Sequence, residues 1–456
     1  MTAASSRQTA AGSEKAGKAV NESPSQRVDL ALSAESRTLK AKRAREAMGI
    51  YDRFGVRARI NAAGLITRLG GSLMPAEVLD AMTEAAGRFV DMAELQAAAS
   101  AAIAQHTGAE AGLVTSGAAA GLTLGAAACL AGLDAGRMDR LPEADDFPSE
   151  IIMCRTHRTG YDHAIRAAGA RIREVGFNDR ATGAGVRDIE VWELEAAISP
   201  RTAALAYMAT PESQPPLADV AAMAHRHRLP VLVDAAAQLP PAENLRRFVA
   251  SGADLVVFSG GKAIRGPQGT GILCGRRALI ASAALQQLDL DVRPETWRPP
   301  EPYLCREGLC GIPHHGIGRG CKVSKEEIVG LLVALERFVA LDHAAEQRAR
   351  ERWLATIQER VAGVPHIQTQ LVSAVETGRD PLLEIRLDET ALGRSAYAVS
   401  LALQDGDPPV HLGERRAPEG LLIVNPVGLQ EGEADVVATR LCAVLQESGP
   451  RGGRAM

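Results

Sequence analysis

The sequence predicts an α/β protein, with a large domain built on a mainly parallel sheet and a smaller α/β domain beside it. Short, wholly apolar runs recur at Ala111–Thr115, Ile151–Cys154, Ala203–Met208, Pro230–Val233, Leu255–Phe258 and Gly271–Cys274. The stretches between them carry helical, amphipathic patterning. Strands that are apolar throughout are strands buried on both faces, as in a parallel sheet covered by helices above and below. A chain of 456 residues, 46% of them hydrophobic, has room for two domains and a sizeable core.

Taken in order, residues 1–40 are rich in Ala, Ser, Lys, Glu and Gln with little apolar patterning, and are expected to form a disordered tail. A charged stretch, Lys40 to Arg45, leads to Tyr51-Asp52-Arg53-Phe54-Gly55, where order is expected to begin. Residues 41–74 are expected to join the small domain, 75–320 to form the large domain, and 321–448 to complete the small one. Val78 to Ala104 reads as helices with polar faces, and Gly117 to Leu130 as an Ala- and Leu-rich helix. Pro299, Pro300, Pro302 and the glycines up to Gly320 mark a long loop. Lys325 to Leu341 is expected to be a strong helix, with Ile328, Leu331, Leu332, Leu335 and Phe338 on one face. Leu382–Leu387 and Leu421–Val424 are the expected strands of the small domain. There is no internal repeat.

Composition narrows the function classes. A net charge of −4 gives no global attraction to nucleic acid or to an anionic membrane. Aromatics make up 3%, so the core must be built from Ala, Leu, Val and Ile. Seven scattered cysteines make no disulfide framework and fit a reducing compartment. No apolar run reaches the roughly 18 residues a membrane span needs, and the N-terminus lacks a signal peptide's apolar core. The expectation is a cytoplasmic protein acting on a small molecule.

Four segments carry chemistry. Ser259-Gly260-Gly261-Lys262 follows the strand Leu255–Phe258 directly and precedes Gly266-Pro267-Gln268-Gly269-Thr270-Gly271. A lysine at a strand end among glycines reaches a cofactor with little obstruction, forms an imine with an aldehyde and shuttles protons. A surface lysine in a turn is the plainer alternative. A nucleotide P-loop is excluded, because Val256 stands at its first glycine and Ala263 at its Ser/Thr position. Gly316-Ile317-Gly318-Arg319-Gly320 is no dinucleotide fingerprint, since no strand leads into it. Asp234 closes the strand Pro230–Val233, 28 positions before Lys262. A carboxylate there needs a partner. A protonated pyridine nitrogen suits it, and a helix N-cap is the alternative. In Thr115-Ser116-Gly117-Ala118-Ala119-Ala120-Gly121 a strand turns at small residues into a helix whose free N–H groups and dipole attract phosphate, although a tight turn that binds nothing has the same pattern. Arg155 to His163 supplies a ring that could stack on the pyridine, with His157 the first choice and His163 the second; a helix-capping or surface histidine is the plainer alternative. Cys305, Cys310, His314, His315 and Cys321 match no structural zinc spacing, so no metal is expected.

Together these segments resemble the selenocysteine synthase / D-glucosaminate-6-phosphate ammonia-lyase group of enzymes dependent on pyridoxal 5'-phosphate (PLP). The resemblance runs from about Tyr51 to Leu445. It is carried by Ile60-Asn61-Ala62-Ala63-Gly64 through Gly70-Gly71-Ser72, by Thr115 to Ala119, by Val233-Asp234-Ala235-Ala236-Ala237-Gln238, by Phe258 to Gln268, and by Lys322-Val323-Ser324-Lys325-Glu326-Glu327-Ile328. It implies the aminotransferase-like PLP fold type I and a homodimer or higher homo-oligomer. It also implies roles: Lys262 holding PLP as a Schiff base, Asp234 facing the pyridine nitrogen, and Ser116, Gly117, Ala118 and Ser259 holding the phosphate. Gln238 would lie near the phenolic oxygen, and Thr270 would reach a neighbouring subunit's phosphate.

The chain departs from the selenium-transferring members in two respects. Leu69-Gly70-Gly71 stands where those members look like Leu-Gly-Arg, and a short tail stands where they carry a tRNA-binding domain. The wording around Lys262 is closer to the ammonia-lyase branch. The expected activity is therefore α,β-elimination from a small amino acid or amino sugar acid, releasing ammonia and a 2-oxo acid. Transamination or another transferase reaction, racemisation and aldol cleavage use the same parts, and a non-catalytic PLP-binding protein is the remaining alternative. Arg319, flanked by glycines, is the expected clamp for an anionic substrate group, with Arg265 and Arg68 as rivals.

Overall fold

Twelve strands occur among the described residues: β1 (Ile60–Ala62), β2 (Ala111–Thr115), β3 (Glu150–Cys154), β4 (Arg171–Val175), β5 (Thr202–Met208), β6 (Val231–Asp234), β7 (Leu255–Ser259), β8 (Gly271–Gly275), β9 (Ile367–Val372), β10 (Leu382–Leu387), β11 (Val410–Leu412) and β12 (Leu421–Val424). This is a computed structural model, and it describes residues 49–176, 189–288, 291–305, 309 and 311–446. The expected tail, residues 1–40, lies outside the described residues. Of residues 1–59, those described contain one short 3-10 turn, Asp52–Phe54. The described residues from Ile60 onward cluster as one compact unit.

Seven strands form one sheet in the order β2-β8-β7-β6-β5-β3-β4. The β3–β4, β3–β5, β5–β6 and β6–β7 pairs are parallel, and β8 alone runs antiparallel to both its neighbours. Alternate residues of each central strand enter separate cores. Val114, Ile152, Leu205, Val233, Val256, Phe258 and Ile272 face one layer. Leu113, Ile151, Met153, Leu232, Leu255, Val257 and Leu273 face the other. The first layer is covered by Ile328, Leu331, Leu335 and Phe338 of the helix Lys325–Ala340. The second is covered by Leu122, Leu124 and Leu130 of the helix Gly117–Ala131. Each fully buried Leu, Ile or Phe contributes roughly 1.5–3 kcal/mol. Because both faces are covered, the strands have to be apolar throughout, which is how they read in the sequence.

The expected face of Lys325–Ala340 is buried except for Leu332, which is partly buried. This helix starts at Ser324 with a reciprocal cap: the Ser324 hydroxyl accepts from the Glu327 N–H (3.3 Å), and the Glu327 carboxylate accepts from the Ser324 N–H (3.2 Å).

A three-stranded antiparallel sheet, β12-β10-β9, and the parallel pair β1–β11 surround a third core built on Leu354, Ile357, Leu383, Ile385, Val437 and Leu441. The pairing of Ile60 with Val410 and of Ala62 with Leu412 ties the segment before Pro75 to the C-terminal third of the chain. We propose that this sheet, with β1 and β11, constitutes the smaller domain. Among the described residues no helix is long and apolar enough to cross a membrane.

Candidate active site

The carboxyl ends of β2, β6 and β7 and the start of β8 meet at one edge of the large sheet. Asp234, the last residue of β6, pairs with Val257 of β7. Two residues on, Ser259 ends β7 opposite Gly271, which in turn lies opposite Thr115 of β2. Ligands of open α/β sheets bind at this carboxyl edge, where loops with unpaired backbone groups fan out.

Lys262 stands on the loop between β7 and β8. That loop is fixed by its own backbone: Gly260 N–H donates to Thr270 O (2.9 Å), Gly266 N–H to Gly260 O (2.9 Å) and Arg265 N–H to Lys262 O (2.9 Å). A β-carbon on Gly261 would come within 2.4 Å of Gln268 Cα, so the residue before the lysine has to be glycine. Residues 65–73 lie over the loop as a strap. The Ser72 hydroxyl donates to Gly261 O (3.0 Å), Arg265 Nε to Leu73 O (3.0 Å) and Gln268 Nε2 to Thr67 O (3.3 Å). Beneath the strap is a cavity of about 300 Å³ lined by Leu65, Thr67, Gly71, Ser259, Lys262 and Gln268, among others.

Burial pushes the Lys262 ammonium below the ordinary lysine range; the Asp234 carboxylate works against this and the Arg379 guanidinium adds to it. Burial likewise raises the Asp234 carboxyl. The Ala236 N–H (3.0 Å) and the charge of Lys262 oppose that rise, while buried Asp162 adds to it. The edge therefore holds a lysine biased toward its neutral, nucleophilic form and a carboxyl held firmly in place.

Ser116 and Gly117 open the helix Gly117–Ala131 beside Ser259. A β-carbon on Gly271 would lie 2.6 Å from the Gly117 carbonyl carbon, so the first turn of the helix sits directly against β8. Thr115, just before this helix, lies opposite Gly271, which also lies opposite Ser259, so the helix start and the end of β7 share one edge of the sheet. The Ser116 hydroxyl also meets the Cys321 thiol, whose pKa burial raises.

His157 follows β3 in the turn Arg155–His157. It is 2% exposed and packs edge-on against Tyr207 of β5, with ring centroids 4.6 Å apart. His163 is exposed, so of the two rings His157 is the one at the sheet. Gln238 is buried in the turn after Asp234, its backbone oxygen accepting from Asn244 Nδ2 (2.6 Å).

Other expected residues lie elsewhere. Thr270 is fully buried and its hydroxyl donates to Pro267 O (2.6 Å) in the same loop. Arg265 takes a positive φ of 62° and turns its side chain to the strap. Arg68 is exposed and lies 3.6 Å from Glu414. Arg319 lines a separate cavity of about 560 Å³ with Trp297, Tyr303 and Lys322. Its short helix packs so closely on neighbouring elements that a β-carbon on Gly318 would come within 2.6 Å of Leu124. Within one chain, none of these three arginines lines the cavity at Lys262. Sequence reading missed Arg379, whose charge helps to lower the Lys262 pKa, and buried Asp162, which pairs with Arg158. Nothing in the polar stretch around Thr377-Gly378-Arg379-Asp380 marks it out. Among the described residues no group of three or more His, Cys, Asp or Glu side chains could hold a metal ion; Cys310 lies outside the described residues.

The donors at this edge fit PLP. An amine whose pKa burial lowers suits the aldehyde, a buried carboxyl suits the pyridine nitrogen, and the free N–H groups of a helix start suit the phosphate.

The Aminotransferase class-V family matches residues 157–288. D-glucosaminate-6-phosphate ammonia lyase of Salmonella typhimurium (strain 14028s / SGSC 2262) is 30% identical over 408 residues, covering 88% of this chain and 98% of that protein. A 5'-C-glycyluridine monooxygenase-decarboxylase of Streptomyces sp. is 32% identical over 412 residues, covering 88% and 92%. Among solved structures, that of a D-glucosaminate-6-phosphate ammonia-lyase superposes with a TM-score of 0.73 at 29% identity, over 88% of this chain and 99% of the other.

Proposed function

The chain belongs to the selenocysteine synthase / D-glucosaminate-6-phosphate ammonia-lyase group of PLP-dependent enzymes with the aminotransferase-like fold, and from that premise we propose that it is a lyase. Its reaction would be α,β-elimination from a small amino acid or amino sugar acid. The observation that carries this reading is the placement of Asp234 at the end of β6 and of Lys262 on the loop that follows the adjacent parallel strand β7, each acting on the other's charge.

Lys262 would hold the cofactor's aldehyde carbon, Asp234 would face the ring nitrogen, and Ser116, Gly117, Ala118 and Ser259 would surround the phosphate. His157 would lie along the ring, and Gln238 near its phenolic oxygen. When bound, PLP supplies an electron sink for the bond broken at the substrate's Cα. Asp234 keeps the ring nitrogen protonated, which a buried carboxyl with a fixed hydrogen bond does well. Lys262 Nζ removes the proton from Cα, because burial has biased it toward the free amine. The strap from Leu65 to Leu73 covers the lysine loop and limits the entry of water. A β-substituent leaves with that proton, and hydrolysis of the released enamine consumes one water and gives a 2-oxo acid and ammonia. The working unit is proposed to be a homodimer.

The test is a panel of amino acids and amino sugar acids, each incubated with the purified holoprotein, with ammonia and 2-oxo acid measured in step. Equal amounts of both support the lyase. Loss of CO2 with oxygen uptake and no 2-oxo acid would move the assignment to chemistry of the kind named for the Streptomyces relative.

A further inference from the structure

Asp162, at the start of the short helix Asp162–Ala167, is an acid only 4% exposed. Burying such a group is costly unless partners hold it. Arg158 Nε donates to one of its carboxylate oxygens and the Thr159 N–H to the other (3.3 Å). Arg158 also donates to Glu174 (2.6 Å), which in turn pairs with Arg155 (3.0 Å). Both oxygens of Asp162 are engaged, so the carboxylate is fixed where it stands.

Asp162 and Asp234 border the same small cavity, together with Thr159, Tyr161, Tyr207 and Met208. Its volume of about 10 Å³ is room for about one water. Lys262 lines a different cavity, the one beneath the strap. The charge of Asp162 reaches Asp234 and adds to the rise that burial imposes on its carboxyl; the Ala236 N–H and the charge of Lys262 act the other way. Tyr207, on β5, stays neutral: its hydroxyl donates to Pro215 O (3.1 Å) and Ser213 O (3.2 Å), and burial pushes its pKa up to about 12. The Tyr207 ring packs on His157, and Tyr161 is exposed. Of the described residues that border this water-sized space, only Asp162 and Asp234 are acids or bases that ionise near neutral pH.

We propose that Asp162 is a positioning residue that acts through Asp234: it is a second, fixed negative charge across the cavity from that acid, and it helps to keep the proton on the cofactor's ring nitrogen. This rests on the reading of Asp234 as the partner of that nitrogen. A buried negative charge favours the protonated form of a nearby base. Arg158 and Thr159 occupy the Asp162 oxygens, so Asp162 acts by its charge and does not take the proton itself.

The experiment uses the full-length holoprotein loaded with PLP that carries a nitrogen-15 label in its ring, since the NMR shift of that nucleus separates a protonated ring nitrogen from a free one. The shift is followed against pH in wild type, Asp162→Asn, Arg158→Gln and Asp234→Asn. Asp162→Asn keeps the side chain's shape and an oxygen for the Thr159 N–H but removes the charge. Its ring nitrogen should lose the proton at a pH lower than in wild type by about 0.5–1 unit, as loss of one nearby charge implies. Arg158→Gln breaks the same ion pair but keeps the Asp162 charge, and it should not move the transition to lower pH. A purely structural role for the pair would move both variants the same way. An unmoved transition in Asp162→Asn, or a fall in Arg158→Gln, overturns the assignment, and the second arm stands even where Asp162→Asn does not fold. A wild-type nitrogen that carries no proton near neutral pH, or one that keeps its proton in Asp234→Asn, overturns the reading of Asp234 itself, and this inference with it.

Discussion

Gly71 lies so close to Gly261 that a β-carbon on it would stand 2.9 Å from the Gly261 carbonyl oxygen and 3.0 Å from Gln268 Cγ, at a φ of 76° that L side chains rarely adopt. The strap thus meets the lysine loop backbone to backbone. Gly71→Ala should cost roughly 1–3 kcal/mol from strained backbone and steric overlap. It should also weaken cofactor retention, which thermal unfolding and a PLP titration would measure. Gly71→Arg, which writes in the residue of the selenium-transferring members, should do worse and should not bring tight, salt-sensitive binding of seryl-tRNA. A stable Gly71→Arg protein that binds that RNA would show that the strap can move aside.

Lys262→Ala should leave the protein folded but colourless, whereas wild type loaded with PLP should be yellow. The reason is positional: among the described residues that line the cavity with Ser259, Gly71 and Gln268, Lys262 is the one lysine. An unchanged visible spectrum in the variant would place the cofactor on another lysine.

The central sheet was legible because its physics is simple. β2 spans Ala111–Thr115 as expected, and β3, β5, β6, β7 and β8 fall within a residue of their apolar runs at each end. Burial on both faces leaves no polar residues to confuse the reading. β4 escaped notice for the opposite reason: Arg171-Ile172-Arg173-Glu174-Val175 is an edge strand, mostly exposed, with charges at three of its five positions. β9 is likewise a polar edge strand, and β1 and β11 have three residues each, too few to show a period. At the site, Lys262, Asp234 and Ser116 could be read because each stands at the end of a strand. Arg379 could not, because its place depends on how the segment after β9 packs against the loop after β5, and local sequence does not encode that.

Asp234→Asn should bind cofactor yet lose most activity, since an amide cannot hold the ring proton. Its effect on the cofactor-free protein should have the opposite sign. The folded-state pKa of Asp234 is raised, so the folded chain holds that proton more tightly than the unfolded one. The associated stability is fully present below the unfolded pKa of about 3.9 and is lost as pH rises through the folded value. Near neutral pH the wild-type apoprotein carries this penalty and the amide does not. Asp234→Asn apoprotein should therefore melt higher than wild type near pH 7, and the gap should close in acid. Melting curves at several pH values test this, and a variant less stable than wild type at neutral pH would contradict it.

Two charges act on Lys262 in opposite senses, which gives a test independent of turnover. Asp234 raises the pKa of its amine, and Arg379 lowers it. Only the neutral amine attacks an aldehyde, so the rate at which apoprotein takes up PLP should rise with pH through the Lys262 pKa, at lower pH than for an ordinary lysine. Asp234→Asn removes the raising charge, and its profile should move to lower pH. Arg379→Gln removes the lowering charge, and its profile should move to higher pH. Lys262 is largely but not wholly buried, so added salt should shrink both displacements without reversing either. Profiles that move together, or that stay fixed in Arg379→Gln while moving in Asp234→Asn, would mean that Arg379 does not face the lysine in solution.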